Sequence, residues 1–142
     1  MYATVDQLKD AIPAQDLILL TDHDGAADAV DDARLTSALQ DATATIDGWI
    51  AKRVTLPLAE PPRMLMVVCR DLALHRLYAN TGRVTEAAEK LHDAAMAYLA
   101  KVSKGEISIG DETGGDEIVT SPGAVVEEGP ERVFTRDRLR SF

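Results

Sequence analysis

The stretch DDARLTSALQDATATIDGWIAKRV, residues 31–54, sets the strongest constraint on this chain's fold. Leu35, Leu39, Ala42, Ile46, Trp49 and Arg53 recur at intervals of three and four, while Asp41, Asp47 and Lys52 fall elsewhere. That period matches the turn of an α-helix and conflicts with the two-residue alternation of a strand. Asp31 or Asp32 can cap the start, where a carboxylate also suits the positive end of the helix dipole. TLPLAEPP ends the helix, because Pro57, Pro61 and Pro62 lack amide donors and restrict the residues before them. A helix with one apolar stripe must bury it against something, and the neighbouring segments supply partners of the same kind.

The next segment, RMLMVVCRDLALHRLYANTG, has a wide apolar face of Leu65, Val68, Cys69, Leu72 and Leu77, with Met64 nearby. A helix apolar over so much of its circumference belongs in the middle of a bundle, and Gly82 provides its stop. VTEAAEKLHDAAMAYLAKVSKG forms the last long helix, with Thr85 as cap and Ala88, Leu91, Ala95, Tyr98, Leu99 and Val102 inward. Lys101 and Lys104 suit its negative end, and Gly105 closes it. Near the start, Thr4 and Gln7 form a capping box for a short helix reaching about Ala11. Pro13 opens a further turn that buries Leu17, Ile18 and Leu20. The expected fold class is all-α: a small antiparallel bundle with an extended carboxyl-terminal arm that can form a short strand when docked.

A chain of 142 residues fits a single domain with a real core. Its organisation follows from charge. Residues 1–105, the helical body, hold 11 basic and 15 acidic groups. Residues 106–131, an acidic Gly-rich linker, hold eight acids and no Lys or Arg. Residues 132–142, a basic and apolar tip, hold four arginines against Asp137, which brings the total to −9. That balance argues against broad nucleic-acid binding. The sequence has no apolar run long enough for a membrane span, and MYATVDQLKD lacks the features of a secretory signal. Cys69, the single cysteine, excludes an internal disulfide framework and fits a reducing compartment.

Within TDHDGAADAVDD, Asp22, Asp24 and Asp28 occupy the first, third and seventh places of an EF-hand-like loop. The fifth, sixth and twelfth places hold Ala26, Ala27 and Ala33, where such a loop needs an oxygen, a glycine and a bidentate glutamate. A polar turn whose aspartates bond the backbone is therefore expected; a calcium-responsive binding module built on Asp22–Asp32 is the alternative. Cys69 and His75 point roughly 120° apart on one helix, so they are not a nucleophile and its base. His75 and His92 read as helix-surface or bundle-contact residues. With no phosphate loop or hydrolase motif, the expectation is a non-enzyme that needs no cofactor.

The tip is chemically distinct. Val133, Phe134, Leu139 and Phe142 are out of place in a merely solvated tail, and Arg136, Arg138 and Arg140 can pair with a partner's carboxylates. Thr135 can cap a short helix, with Phe134 and Leu139 at the spacing of a hydrophobic staple. Alternatively ERVFT can add as a strand to another chain's sheet edge. Either element is too short to stand alone, so these seven residues are the candidate partner-binding set. Folding back onto its own bundle is the plainer alternative.

MYATVDQL, then LTDHDG and DDARLTSALQDATATIDGWIAKRVTLPL, then PP followed by CRDLALHRLY, resemble the Mu-like bacteriophage neck proteins. The closing FTRDRLRSF is similar too, although Ala26 and Ala27 stand where relatives carry a fuller DxDGDG loop. The resemblance implies a helical head–tail connector, located in the virion neck and in the host cytoplasm during assembly. It implies a ring, twelve-fold by analogy, on the portal protein, with a downstream neck or tail protein attached and the arm docked on a neighbour. Genomic DNA would pass through the channel without sequence-specific binding.

Overall fold

The computed structural model describes residues 1–22, 25 and 28–109. Five helices make up the body: α1 (Val5–Ala11), α2 (Ala14–Thr21), α3 (Asp32–Ile50), α4 (Arg63–Asn80) and α5 (Glu86–Lys104). The described residues contain no β-sheet.

Local chemistry sets the helix boundaries. The Thr4 hydroxyl accepts from the Gln7 amide at 3.2 Å and Gln7 Oε1 accepts from the Thr4 amide at 2.9 Å, completing the capping box of α1. Asp31 Oδ1 accepts from the amides of Ala33 and Arg34 at the start of α3, and Thr85 Oγ1 accepts from Ala88 at the start of α5. These contacts satisfy amides that have no partner inside a helix. The helix α5 closes at Gly105, whose φ of +80° lies in the left-handed region that suits glycine.

Cross-helix contacts give the topology. Cys69 Sγ lies 3.7 Å from Thr43 Oγ1, and Arg76 bridges to Asp41 at 3.2 Å, so α4 runs antiparallel to α3. A short connection follows α4, and the rings of His75 and His92 stack across it with centroids 4.2 Å apart, which runs α5 antiparallel to α4. The helix α4 is central, packed against α3, α5 and α2, as its broad apolar face requires. The helix α1 crosses α3 antiparallel, with the Tyr2 hydroxyl donating to Asp47 at one end and Lys9 paired to Asp32 at the other. Thr21 fastens α2 to α3: its hydroxyl donates to Leu17 O at 2.8 Å and accepts from the Asp31 amide at 3.2 Å.

Leu8, Leu17, Leu35, Leu39, Ile46, Ile50, Leu65, Leu77 and Leu99 are fully buried. Each such side chain contributes about 1.5–3 kcal/mol through loss of water contact. Core packing continues past the end of α5, where Ile107 is half-buried and Ile109 is 6% exposed.

The structure departs from the sequence expectations at four positions. Leu91 is 41% exposed, because the seam of α5 runs through Ala88, His92, Ala95, Leu99 and Val102, and His92 takes the place beside His75. Met64 is 45% exposed, although the adjacent Leu65 in the same turn of α4 is fully buried, so the buried face of this helix begins at Leu65. Ile18 is half-buried on a helix too short to bury more than one edge. Helix α3 ends at Ile50, so Arg53 belongs to the turn that follows rather than to the helical stripe.

Candidate partner-binding surfaces

The candidate tip residues Val133, Phe134, Arg136, Arg138, Leu139, Arg140 and Phe142 lie outside the described residues, as do Asp24 and residues 110–131 of the acidic linker. Of the aspartate loop, Asp22 and Asp28 are described. Asp22 Oδ1 accepts from the Gly25 amide at 2.9 Å, the side-chain-to-backbone bond expected of a polar turn. Gly25 carries a φ of +71°, which the turn needs at that point. Asp31 caps α3 and pairs with Arg34, and Asp32 pairs with Lys9, so these two carboxylates serve the backbone and ion pairs. Among the described residues no three His, Cys, Asp or Glu side chains are grouped as a metal site.

Cys69 is fully buried, its thiol against Leu39 O and Thr43, and burial raises its pKa. That environment suits a core residue and disfavours the thiolate a nucleophile needs. His75 has its pKa lowered, first by burial and then by the facing His92, with Glu89 and Asp93 opposing the change. Tyr2 is held well above its ordinary pKa by burial and by donating to Asp47. Burial likewise raises Asp71, against the pull of Arg70. Cys69, His75 and Tyr2 thus each make a contact between separate elements of the bundle.

Tertiary structure creates a surface that no single stretch of sequence announces. With His75 facing His92 and the two helices antiparallel, Arg63 at the start of α4 lies level with Lys104 at the end of α5. The chain leaving α3 reaches the same place, because the Arg53 guanidinium packs on Gly105. Lys52, Arg53, Arg63, Lys101 and Lys104 thus share one end of the bundle, where Glu106 follows Gly105 and Asp10 lines a groove with Arg63. None of these five cations has an ion-pair partner among the described residues, and Arg53 Nε is buried without a hydrogen-bond partner. Along the sequence, Lys101 and Lys104 read only as charges suited to the end of a helix. Their company comes from segments about 40 and 50 residues away, which helical periodicity does not reveal.

From Arg63 an open groove of about 470 Å³ runs between α1 and α4, lined by Gln7, Asp10, Arg63, Met66 and Arg70. Arg63, Met66 and Arg70 share a face of α4, with Asp10 the acid on the opposite wall. No helix among the described residues is long and apolar enough to cross a membrane.

Residues 2–128 match the family model described as Bacteriophage Mu, Gp36, a match that covers all five helices and most of the linker. The chain is 32% identical over 116 residues to the Mu-like prophage FluMu protein gp36 of Haemophilus influenzae, covering 82% of this chain and 80% of that protein. It is 34% identical over 112 residues to gene product J of Escherichia phage Mu, covering 79% and 78% of the two chains. The chain belongs to the Bacteriophage Mu Gp36 family, a family of phage and prophage proteins.

Proposed function

We propose that the protein is a non-enzymatic head–tail connector of a tailed phage or prophage. The sequence pattern that carries this reading is a helical body joined by an acidic linker to the apolar and basic tip, in a chain of a phage protein family. Copies form a ring, twelve-fold by analogy, between the portal protein and a downstream neck or tail protein. A ring is a closed head-to-tail assembly, in which each body presents two different complementary faces.

The tip docks on a neighbouring component. Val133, Phe134, Leu139 and Phe142 fill pockets, while Arg136, Arg138 and Arg140 pair with carboxylates. One short arm binds weakly because ordering it costs entropy. Arms held together in a ring act at an effective concentration of roughly millimolar, so weak dockings sum to a durable joint. The acidic linker and the net charge of −9 let DNA pass without sticking.

Deleting residues 130–142 tests this proposal. The truncated protein should melt at the temperature of the full chain, while phage carrying the deletion should accumulate unjoined heads and tails. A collapse of thermal stability would place the tip in its own core, and normal particle yield would remove the docking role.

A further inference from the structure

Helix α4 separates two charged edges of the body. His75 faces α5, while Met66 and Arg70, roughly 140–180° round the same helix, line the groove opposite Gln7 and Asp10 of α1. The helix α5 therefore lies on one side of α4 and α1 on the other. Neighbouring helix axes sit about 8–10 Å apart, so α1 and α5 stand roughly 16–20 Å from each other.

Each edge is unpaired within its own chain. On α1, Asp6 and Asp10 point roughly 160° away from the buried Leu8, and Lys9, the base of that helix, is taken by Asp32. Asp16 continues the edge onto α2. All three carboxylates are exposed, and none has an ion-pair partner among the described residues. On α5, Lys101 and Lys104 point roughly 120–180° away from His92 and the α4 seam, into solvent. Asp6 and Asp10 stand one turn apart, as do Lys101 and Lys104, so two such helices laid together bring acids and bases into register.

We propose that a second copy of this chain docks its α1–α2 edge, through Asp6, Asp10 and Asp16, on Lys101, Lys104 and Lys52 of the first. Charge complementarity selects this occupant, because the two unpaired sets belong to one chain but face away from each other across the bundle. A nucleic acid would engage the lysine edge alone and leave the acidic edge without a partner. Opposite sides also suit closure, since each copy in a ring of twelve turns by only roughly 30° from the last. The contact rests on the ring reading above and names its two faces. Exposed ion pairs are individually weak, so the contact forms where copies are held at high local concentration.

Zero-length cross-linking of the full chain reads the contact. Equal amounts of unlabelled and ¹⁵N protein at roughly millimolar concentration, the range met inside an assembly, are treated with a carbodiimide, which joins an amine to a carboxylate in direct contact. The expected products are mixed-isotope peptide pairs joining Lys101, Lys104 or Lys52 to Asp6, Asp10 or Asp16. Their yield should fall at least about threefold between about 0.05 M and about 0.5 M salt, because screening shortens the range of the charges. The double variants Lys101→Glu with Lys104→Glu, and Asp6→Lys with Asp10→Lys, should each lower the yield of linked dimer at least about threefold alone. Mixed in equal parts they should recover it, since the reversed edge of one then matches the reversed edge of the other. The melting temperature of each variant checks its folding. Failure of the mixture to recover linked dimer, or links from these lysines confined to peptides of one isotope, would overturn the proposal. Mixed-isotope links from the lysines to residues 106–131 would overturn it in favour of a neighbour's linker. Mixed-isotope links through other faces would overturn these two edges while leaving a ring, and deletion of the tip tests the connector role separately.

Discussion

Gly105→Ala probes the joint between α3 and α5. Gly105 sits at φ +80°, its amide bonding back to Lys101 O and Val102 O. A Cβ there would lie 1.3 Å from one terminal nitrogen of Arg53 and 2.5 Å from its Cζ. Two costs follow. A left-handed backbone carrying a side chain costs about 1–2 kcal/mol. Gly82 shares that cost at φ +68°, but has nothing within 4 Å of its added Cβ. The second cost is displacement of the Arg53 guanidinium, the mobile end of a long side chain. Its Nε is buried without a partner, so moving it into water restores a hydrogen bond and offsets the packing lost. Gly105→Ala and Gly82→Ala should therefore destabilise alike, by about 1–2 kcal/mol each, or roughly 3–10 °C in melting temperature. Urea unfolding of both variants, with Arg53→Ala and Arg53→Ala/Gly105→Ala completing a double-mutant cycle, measures the difference. If Gly105→Ala exceeds Gly82→Ala by more than about 1.5 kcal/mol and Arg53→Ala recovers the excess, the guanidinium is a fixed strut and the expected equality is refuted.

The revised seam of α5 predicts a contrast between two leucines. Leu39→Ala, fully buried, should cost about 2–5 kcal/mol, whereas Leu91→Ala, at the rim, should stay below about 1 kcal/mol; similar losses in denaturant unfolding would put Leu91 back in the core. The His75–His92 stack predicts a pH dependence. His75 has a folded pKa below its ordinary 6.5, so the unfolded chain takes up the proton first and stability falls as pH drops through that value. The charged groups around it are His92, Glu89, Asp93 and Arg76. His75→Gln should flatten the stability profile between about pH 7.5 and 5.5, and an unchanged slope would show that the pair does not couple protonation to folding.

Much of the fold was legible because helix chemistry is local. Thr4 with Gln7, Thr85 and Gly105 each act on amides or carbonyls within a few residues and sit where the sequence placed them, and of the two aspartates offered for the start of α3 the structure selects Asp31. The wide apolar face of α4 likewise predicted a central position, since only a helix with neighbours on several sides can bury so much. Periodicity was less decisive between adjacent positions. Leu91 and His92 both fit intervals of three and four, and hydropathy favoured leucine, but stacking against His75 selected His92. The aspartate loop was legible as a turn through Asp22 and Gly25, because a side chain bonding the backbone three residues on is also local.

By itself the sequence determined the helices, their caps, the proline break after α3, and a strong segregation of charge into body, linker and tip. Those properties depend on neighbours in the chain, and reading along it is enough to find them. Only the tertiary structure decided that Lys52, Arg53, Arg63, Lys101 and Lys104 meet at one end, and that Arg53 rests on Gly105. The physical reason is the antiparallel register of α3, α4 and α5, set by buried side chains that fit one another across the bundle. Charge clustering follows from that register as a consequence of packing, so it becomes visible only once the helices are in place.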